Sequence, residues 1–403
     1  ASWKLDGSII FEPPKAIIRR QRQPWEWMVS GHAMGKDIRV TADHRMVIEH
    51  GRDAKWITVL AHEAVGRPVS IPVSGIAAPL SDSLPVMLTE QQLRRRGAAL
   101  AYSYRRRRIA DADRAAKLEV RRLELARRST AVADLTLDDC SFIGFWLGDG
   151  SIGKYKHGGM VCSLSQSMAY PYIVKWIDEL LARINIPCRR SVSEPYGKVK
   201  NQAVRWVLSR GTGGRQQSRS VGYARLQRLL VKVGAPELWS LTVEQYSALL
   251  YGFWMADGNH GDGIEKSGRG WSVVGTQKQL YDLLQAVGTC RGYAMTVTKQ
   301  GPPPKPQHSQ QWRLSWRIAD RRQFVNERLT IERAWIDETV WCVTSDTGYI
   351  VTRRNGCVAI VGNSLGFDFP ELDTVVCACP SVSLARYYQQ VGRAVRPHPA
   401  KPQ

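Results

Sequence analysis

The nonapeptide FIGFWLGDG (142–150) returns 108 residues later as LYGFWMADG (250–258). Each copy is apolar and ends in Asp-Gly, so each reads as the last turns of a hydrophobic helix. Gly144 and Gly148 lie four apart, as do Gly252 and Ala256. That spacing puts the small residues on one helix face. Two such faces can pack backbone against backbone. The packing would bring Asp149 and Asp257 together at the helix ends, where Gly150 and Gly258 are expected to stop the helices. Two buried helices with capping glycines, and no chemistry, are the structural alternative for a single copy. A matched pair in a chain of formal net charge +21 favours chemistry.

Two carboxylates held close repel one another unless a cation lies between them. Hard oxygen ligands suit Mg²⁺. A metal there can activate water and stabilise the leaving oxygen of a phosphodiester. The charge balance, 57 Lys and Arg against 36 Asp and Glu, points to a polyphosphate partner, with nucleic acid first. The 403 residues suggest two or three domains. No apolar run reaches the roughly 18 residues of a membrane span. The opening ASWKLDGSII has neither the basic start nor the apolar core of a signal peptide, and no initiator Met; it reads as a processed product or a fragment. Eight cysteines form no Cys-x-x-Cys pair, which argues against a zinc ribbon. Free thiols imply a reducing, cytoplasmic setting.

Texture changes along the chain. Residues 1–75 alternate short β-like runs such as DIRVTADHRMVI and RPVSIPV with turn signals. Residues 76–135 are helix-forming and basic; Leu93 to Arg128 hold 13 Lys/Arg against four Asp/Glu, an arm or linker. Residues 136–325 mix helices with strands such as QAVRWVLSR. Residues 326–363 return to β runs, with an Asn355-Gly356 hairpin turn. Residues 364–403 end in Pro-rich coil. The layout predicts one β domain interrupted by an insertion.

The duplicated Asp-Gly helix resembles the paired motif of LAGLIDADG homing endonucleases, over roughly 136–325. The resemblance implies a single-chain, monomeric pseudo-dimer of αββαββα halves gripping double-stranded DNA. It implies Asp149 and Asp257 as catalytic metal ligands for Mg²⁺, with basic residues near the scissile phosphates that the sequence does not place.

Such endonucleases often sit inside self-splicing elements, and the flanks fit. VTADH (40–44) is similar to the Thr-x-x-His block of intein N-terminal halves, which implies Thr41 and His44 beside the upstream scissile bond, with His44 donating to the departing nitrogen. The stretch VAIVGNSLGFDFPELD, from Val358, looks like two unrelated pieces joined at Asn363-Ser364. Its left side resembles the C-terminal intein blocks. Asn363 would then cyclise and cut the chain behind itself, after the Ser364 hydroxyl accepts an acyl group. Ala1 offers no nucleophile. Cys342 stands in VWCVT where most inteins carry Asp, which resembles class 3 inteins and implies direct attack by Cys342 on the upstream bond. The chain departs from that class at Met46, where a Trp is usual, and at Val361, where a Thr is usual. Gly362 replaces the usual penultimate His. A start at Ser2 is the alternative, as an ordinary serine-initiated intein.

Beyond the seam, SLGFDFPELDTVV to YYQQVGRAVRPHP resembles motifs V and VI of superfamily 2 (DEAD/DEAH-like) helicases. Gln389, Gly392, Arg393 and Arg396 match Gln-x-x-Gly-Arg-x-x-Arg, and the arginines of that motif reach ATP phosphates. No phosphate loop occurs in these residues, which argues strongly against a helicase proper. The resemblances together imply an α+β chain. An all-β Hint (hedgehog/intein) splicing domain is interrupted by the endonuclease and followed by a helicase fragment, with an upstream host segment as splicing partner. The rival is a non-catalytic DNA-binding protein with a degenerate endonuclease fold.

Overall fold

The computed structural model describes residues 1–21, 27–33, 36–51, 54–79, 131–154, 160–193, 201–208, 226, 228–258, 270–302, 308–324, 329–333 and 339–364. The basic arm at 93–128 and the helicase-like segment with Gln389, Gly392, Arg393 and Arg396 lie outside the described residues. The chain divides into two compact units. One is Ala1–Ala78, Gly288–Gln300 and Leu314–Gln403; the other is Pro79–Val287 and Gly301–Arg313. Both ends of the described chain therefore share a unit.

The first unit opens with eight strands: β1 (Ser2–Trp3), β2 (Ile9–Ile10), β3 (Ala16–Gln21), β4 (Trp27–Ala33), β5 (Lys36–Thr41), β6 (His44–His50), β7 (Lys55–Leu60) and β8 (Val69–Pro72).

In the second unit, helix α1 (Leu137–Asp149) leads to β9 (Gly150–Lys154) and β10 (Met160–Ser167). Helix α2 (Pro171–Arg183) then leads to β11 (Cys188–Ser193) and β12 (Ala203–Leu208). The four strands form an antiparallel sheet in the order β11-β12-β10-β9. This half therefore runs αββαββ. Helix α3 (Val243–Asp257), β13 (Trp271–Gly275) and α4 (Lys278–Thr289) follow. Sequence sets where α1 and α3 begin. Thr136 Oγ1 accepts from the Asp139 N–H at 3.1 Å while Asp139 Oδ2 accepts from the Thr136 N–H. Thr242 and Gln245 repeat the reciprocal pair. Such a cap contributes about 1 kcal/mol and fixes the helix start.

The chain returns through β14 (Tyr293–Lys299), β15 (Trp312–Ile318), β16 (Arg321–Phe324), β17 (Leu329–Arg333), β18 (Thr339–Thr344), β19 (Tyr349–Arg354) and β20 (Cys357–Ser364). In the first unit, β14, β20, β19, β1 and β2 lie side by side, and β6 joins β20 as well as β7. Separate ladders pair β4 with β5 and β17, β8 with β16, and β3 with β18. The apolar run Met46-Val47-Ile48 buries both faces of the middle of β6. Met46 and Ile48 join Val29, Ile38, Ile71, Leu329, Ile350 and Val361 in one core. Each such side chain contributes roughly 1.5–3 kcal/mol.

The Asn355-Gly356 turn forms as its sequence predicts, with φ of 46° and 78° and Arg354 paired to Cys357. Gly356 is required twice, since a Cβ there would also meet the Val297 carbonyl of β14 at 1.7 Å. Buried Asp37 pins the hairpin, accepting from Arg354 Nε at 2.8 Å and Asn355 Nδ2 at 2.7 Å. The six cysteines among the described residues are free. No described helix is long and apolar enough to cross a membrane.

A candidate active site at two helix ends, and a candidate splice junction

The small-residue stripes of α1 and α3 meet. A Cβ on Gly144 would stand 1.9 Å from the Leu249 carbonyl oxygen, and one on Gly252 would stand 1.9 Å from that of Ser141. A Cβ on Gly148 would lie 2.5 Å from the Ala256 Cβ and 3.0 Å from Asp257 Oδ2. Ser141 Oγ adds a bond to the Ala248 carbonyl at 3.2 Å. This backbone contact brings the two C-terminal ends, and with them Asp149 and Asp257, to one place.

The capping glycines serve a different purpose from the one expected. Gly150 and Gly258 have φ of −72° and extended ψ, open to any residue. What excludes a side chain is space. A Cβ on Gly150 would lie 2.3 Å from Trp146 Cδ1, and one on Gly258 would lie 2.3 Å from the Trp254 carbonyl and 2.4 Å from its indole. Trp146 is itself fixed by its indole N–H, which donates to Cys162 Sγ at 3.1 Å.

Burial first, then the Asp257 carboxylate, pushes Asp149 up to about 7, against the pull of Lys232. Burial also raises Asp257, again opposed by Lys232. The two groups are therefore poorly solvated anions that repel one another. Lys232 is a cation whose charge acts on both. Its Nζ donates to the carbonyls of Trp146, Leu147 and Gly148 at 2.8, 2.8 and 2.6 Å, capping α1 where the helix dipole is negative. Burial lowers it to about 8, opposed by Asp257 and Asp149. Gln166 Nε2 donates to Asp149 Oδ2 at 3.2 Å, and its Oε1 accepts from the Ser167 N–H.

Neither Lys232 nor Gln166 was placed from sequence. A lone Lys inside LLVKV and a Gln at a buried position of β10 were the signals. The two halves differ here. Gly150 pairs with Leu164, and Gln166 follows two residues on; Gly258 bridges Val273, and Gly275 follows two residues on. A Cβ on Gly275 would meet the buried Tyr281 hydroxyl at 2.5 Å. Asp257 therefore has no counterpart of Gln166 at that position.

Among the described residues, no cluster of three or more His, Cys, Asp or Glu could hold a metal. The donor set at the helix ends is two carboxylates. That set suits Mg²⁺, which keeps several waters and substrate phosphate oxygens and needs only one or two protein carboxylates. It does not suit zinc, which takes three or four nitrogen or sulfur ligands.

The other candidate residues lie in the first unit. Thr41 ends β5 opposite Met28 and is buried. Cys342, also buried, lies in β18 opposite Ile18, with Sγ 3.9 Å from the Val343 carbonyl. Ser2 is buried in β1 between Ile350 and Ile10. His44 opens β6, and its register partner is Ser364. Val361 pairs with Met46, so the register slips by one between Val361 and Ser364. Gly362 and Asn363 thus face one residue, Arg45, in a β-bulge at the seam. His44 is lowered to about 4, first by burial and then by Arg45, against Asp43 and a hydrogen bond to the Gly362 backbone. Among the described residues, its Nε2 is buried without a hydrogen-bond partner.

No known protein family and no curated protein matches the chain. Among solved structures, it is similar to the homing endonuclease I-DmoI in complex with DNA and Mn, at 13% identity over 45% of this chain and 92% of that one, with a TM-score of 0.30. It is also similar to the homing endonuclease I-WcaI bound to its DNA recognition sequence, at 14% identity over 49% of this chain and 80% of that one, with a TM-score of 0.28.

Proposed function

We propose that the second unit is a metal-dependent, site-specific endonuclease that cuts both strands of duplex DNA, acting as a monomer. The observation that carries this reading is the half-buried pair Asp149 and Asp257 at the touching ends of α1 and α3, with Asp149 pushed up to about 7. Folding has placed two anions where each destabilises the other, which a purely structural helix pair does not need. Asp149 and Asp257 would hold Mg²⁺, which when bound would supply charge neutralisation at the scissile phosphate. Lys232 favours the ionised form of both carboxylates, against the burial that raises them. Gln166 fixes the orientation of Asp149 and shares its negative charge. The basic excess of the chain draws in the DNA.

The test uses duplex DNA encoding the host sequence without the insertion. Wild-type chain with Mg²⁺ should cut both strands. Asp149→Asn and Asp257→Asn should each lose cutting and keep DNA binding, because the change falls on the chemistry and removes no basic contact. Binding without cutting by the wild type, in any divalent metal, would make the protein a non-catalytic DNA-binding module.

A second activity is proposed for the first unit: self-splicing. What supports it is the register slip across Gly362 and Asn363, which leaves Ser364 opposite His44. In this reading Cys342 forms a thioester with the upstream host segment, the acyl chain passes to Ser364, and Asn363 cyclises to release the element. Thr41 supports the upstream step. The segment 364–403 is then the downstream host piece, with Gln389, Arg393 and Arg396 as helicase motif VI residues that work only after ligation. The test is a precursor carrying the upstream host segment, with ligated product and excised element followed by mass.

A further inference from the structure

The place where a penultimate histidine would stand is closed. A Cβ on Gly362 would lie 2.7 Å from the Arg45 Cβ and 3.0 Å from the Arg45 carbonyl. Both neighbours are backbone or the root of a side chain, so neither can swing aside. Asn363 therefore lacks the usual adjacent proton carrier, and the fold forbids adding one.

The residue next to Arg45 on the same strand is His44. It is the register partner of Ser364, whose amide nitrogen is the leaving group when Asn363 cyclises. Its ring is tied by a hydrogen bond to the Gly362 backbone. Nε2 has no partner, so Nδ1 makes that bond. A ring N–H that donates to a carbonyl carries the proton, which leaves the lone pair on Nε2. A buried lone pair without a donor is costly, and it leaves Nε2 open to accept a proton.

We infer that His44 serves the downstream junction, carrying a proton from the Asn363 side-chain amide to the departing Ser364 nitrogen. This rests on the splicing reading. The step balances without a co-reactant. Asn363 Nδ2 bonds to its own carbonyl carbon and loses one proton to His44 Nε2. The bond from that carbon to the Ser364 nitrogen breaks, and the same proton passes to that nitrogen. His44 ends as it began, and the products are a C-terminal succinimide and a free amine.

The bulge supports this placement. One extra residue is inserted into β20 at the peptide to be broken, so the ladder does not hold both sides of that bond in register. The same slip sets Ser364, rather than Asn363, against His44.

The experiment follows release of the 364–403 segment from the full chain by intact mass over time. Wild type should release it, and Asn363→Ala should not. His44→Gln should slow release by about 100-fold, the lower range for a positioned proton carrier. Added imidazole should restore part of the rate in His44→Ala, which a merely structural role would not allow. Gly362→His should not rescue His44→Gln, because its side chain has no room. If His44→Gln and His44→Ala release at the wild-type rate while Asn363→Ala is inert, the splicing reading stands and the role of His44 is overturned. A folded His44→Ala, judged by its melting, that is slow and ignores imidazole overturns it as well. If the wild type releases nothing, both readings fall.

Discussion

Gly144 lies against the backbone of Leu249 so closely that a Cβ would stand 1.9 Å from the Leu249 carbonyl oxygen. No rotamer relieves such a clash, because both partners are main chain. Gly144→Ala must therefore push α1 and α3 apart. We expect a loss of about 3 kcal/mol or more, at the upper end of overpacking effects. We also expect DNA cutting to fall further than binding, since separating the helices separates Asp149 from Asp257. Thermal melting and a cleavage assay on the same preparation check this. Unchanged melting would mean that the helices are not packed at this point.

Asp149 supplies a pH test. Its folded value of about 7 lies well above the ordinary value of 3.8, so folding binds its proton more tightly. The stability this gives is present in acid and is lost as pH rises through 7. Each unit is worth about 1.4 kcal/mol, so the loss by pH 8 is about 4 kcal/mol. Asp149→Asn should then melt with wild type at pH 4 and several degrees above it at pH 8, without divalent ions. Added Mg²⁺ should raise the wild-type melting temperature and leave the variant unmoved. Equal melting of both proteins at pH 8 would show that the carboxyl is not under strain.

The paired helices were legible because their signals are local: a small-residue stripe and an Asp-Gly end. Lys232 was not, because a single Lys in an apolar run reads equally as a side chain reaching for solvent, and only the fold turns it onto the α1 carbonyls. The reason for Gly150 and Gly258 was misread, since sequence does not show that an indole lies over each. Asn355-Gly356 was readable from turn chemistry. The bulge at Gly362 and Asn363 was not, because a one-residue slip depends on which strand lies alongside, here β6, some 300 residues earlier in the chain.

The basic arm carries its own expectation. If Arg105, Arg106, Arg107 and Arg108 contact phosphates, changing all four to Ala should flatten the salt dependence of DNA affinity. At a slope of about 0.9 per contact, the change is about 3.6 in log affinity against log salt. Affinity measured between low and physiological salt gives the slope directly. An identical slope for wild type and variant would assign the arm to solvent.

The order of splicing is the last test. Ala1 has no nucleophile, whereas Cys342 carries a thiol, far more nucleophilic at neutral pH than a serine hydroxyl. In a precursor with the upstream host segment, Cys342→Ala should therefore abolish upstream cleavage, including release by dithiothreitol. Ser364→Ala should allow thiol-induced release yet give no ligated product, because nothing accepts the acyl chain. Asn363→Ala should accumulate a branched species, since transfer is complete and the cut behind it is blocked. Ser2 is buried in β1 between two strands and should tolerate change to Ala with splicing retained. Resolving each variant by mass, with and without dithiothreitol, separates these outcomes. Splicing that survives Cys342→Ala and stops in Ser2→Ala would move the first nucleophile to Ser2 and leave Cys342 a small core residue.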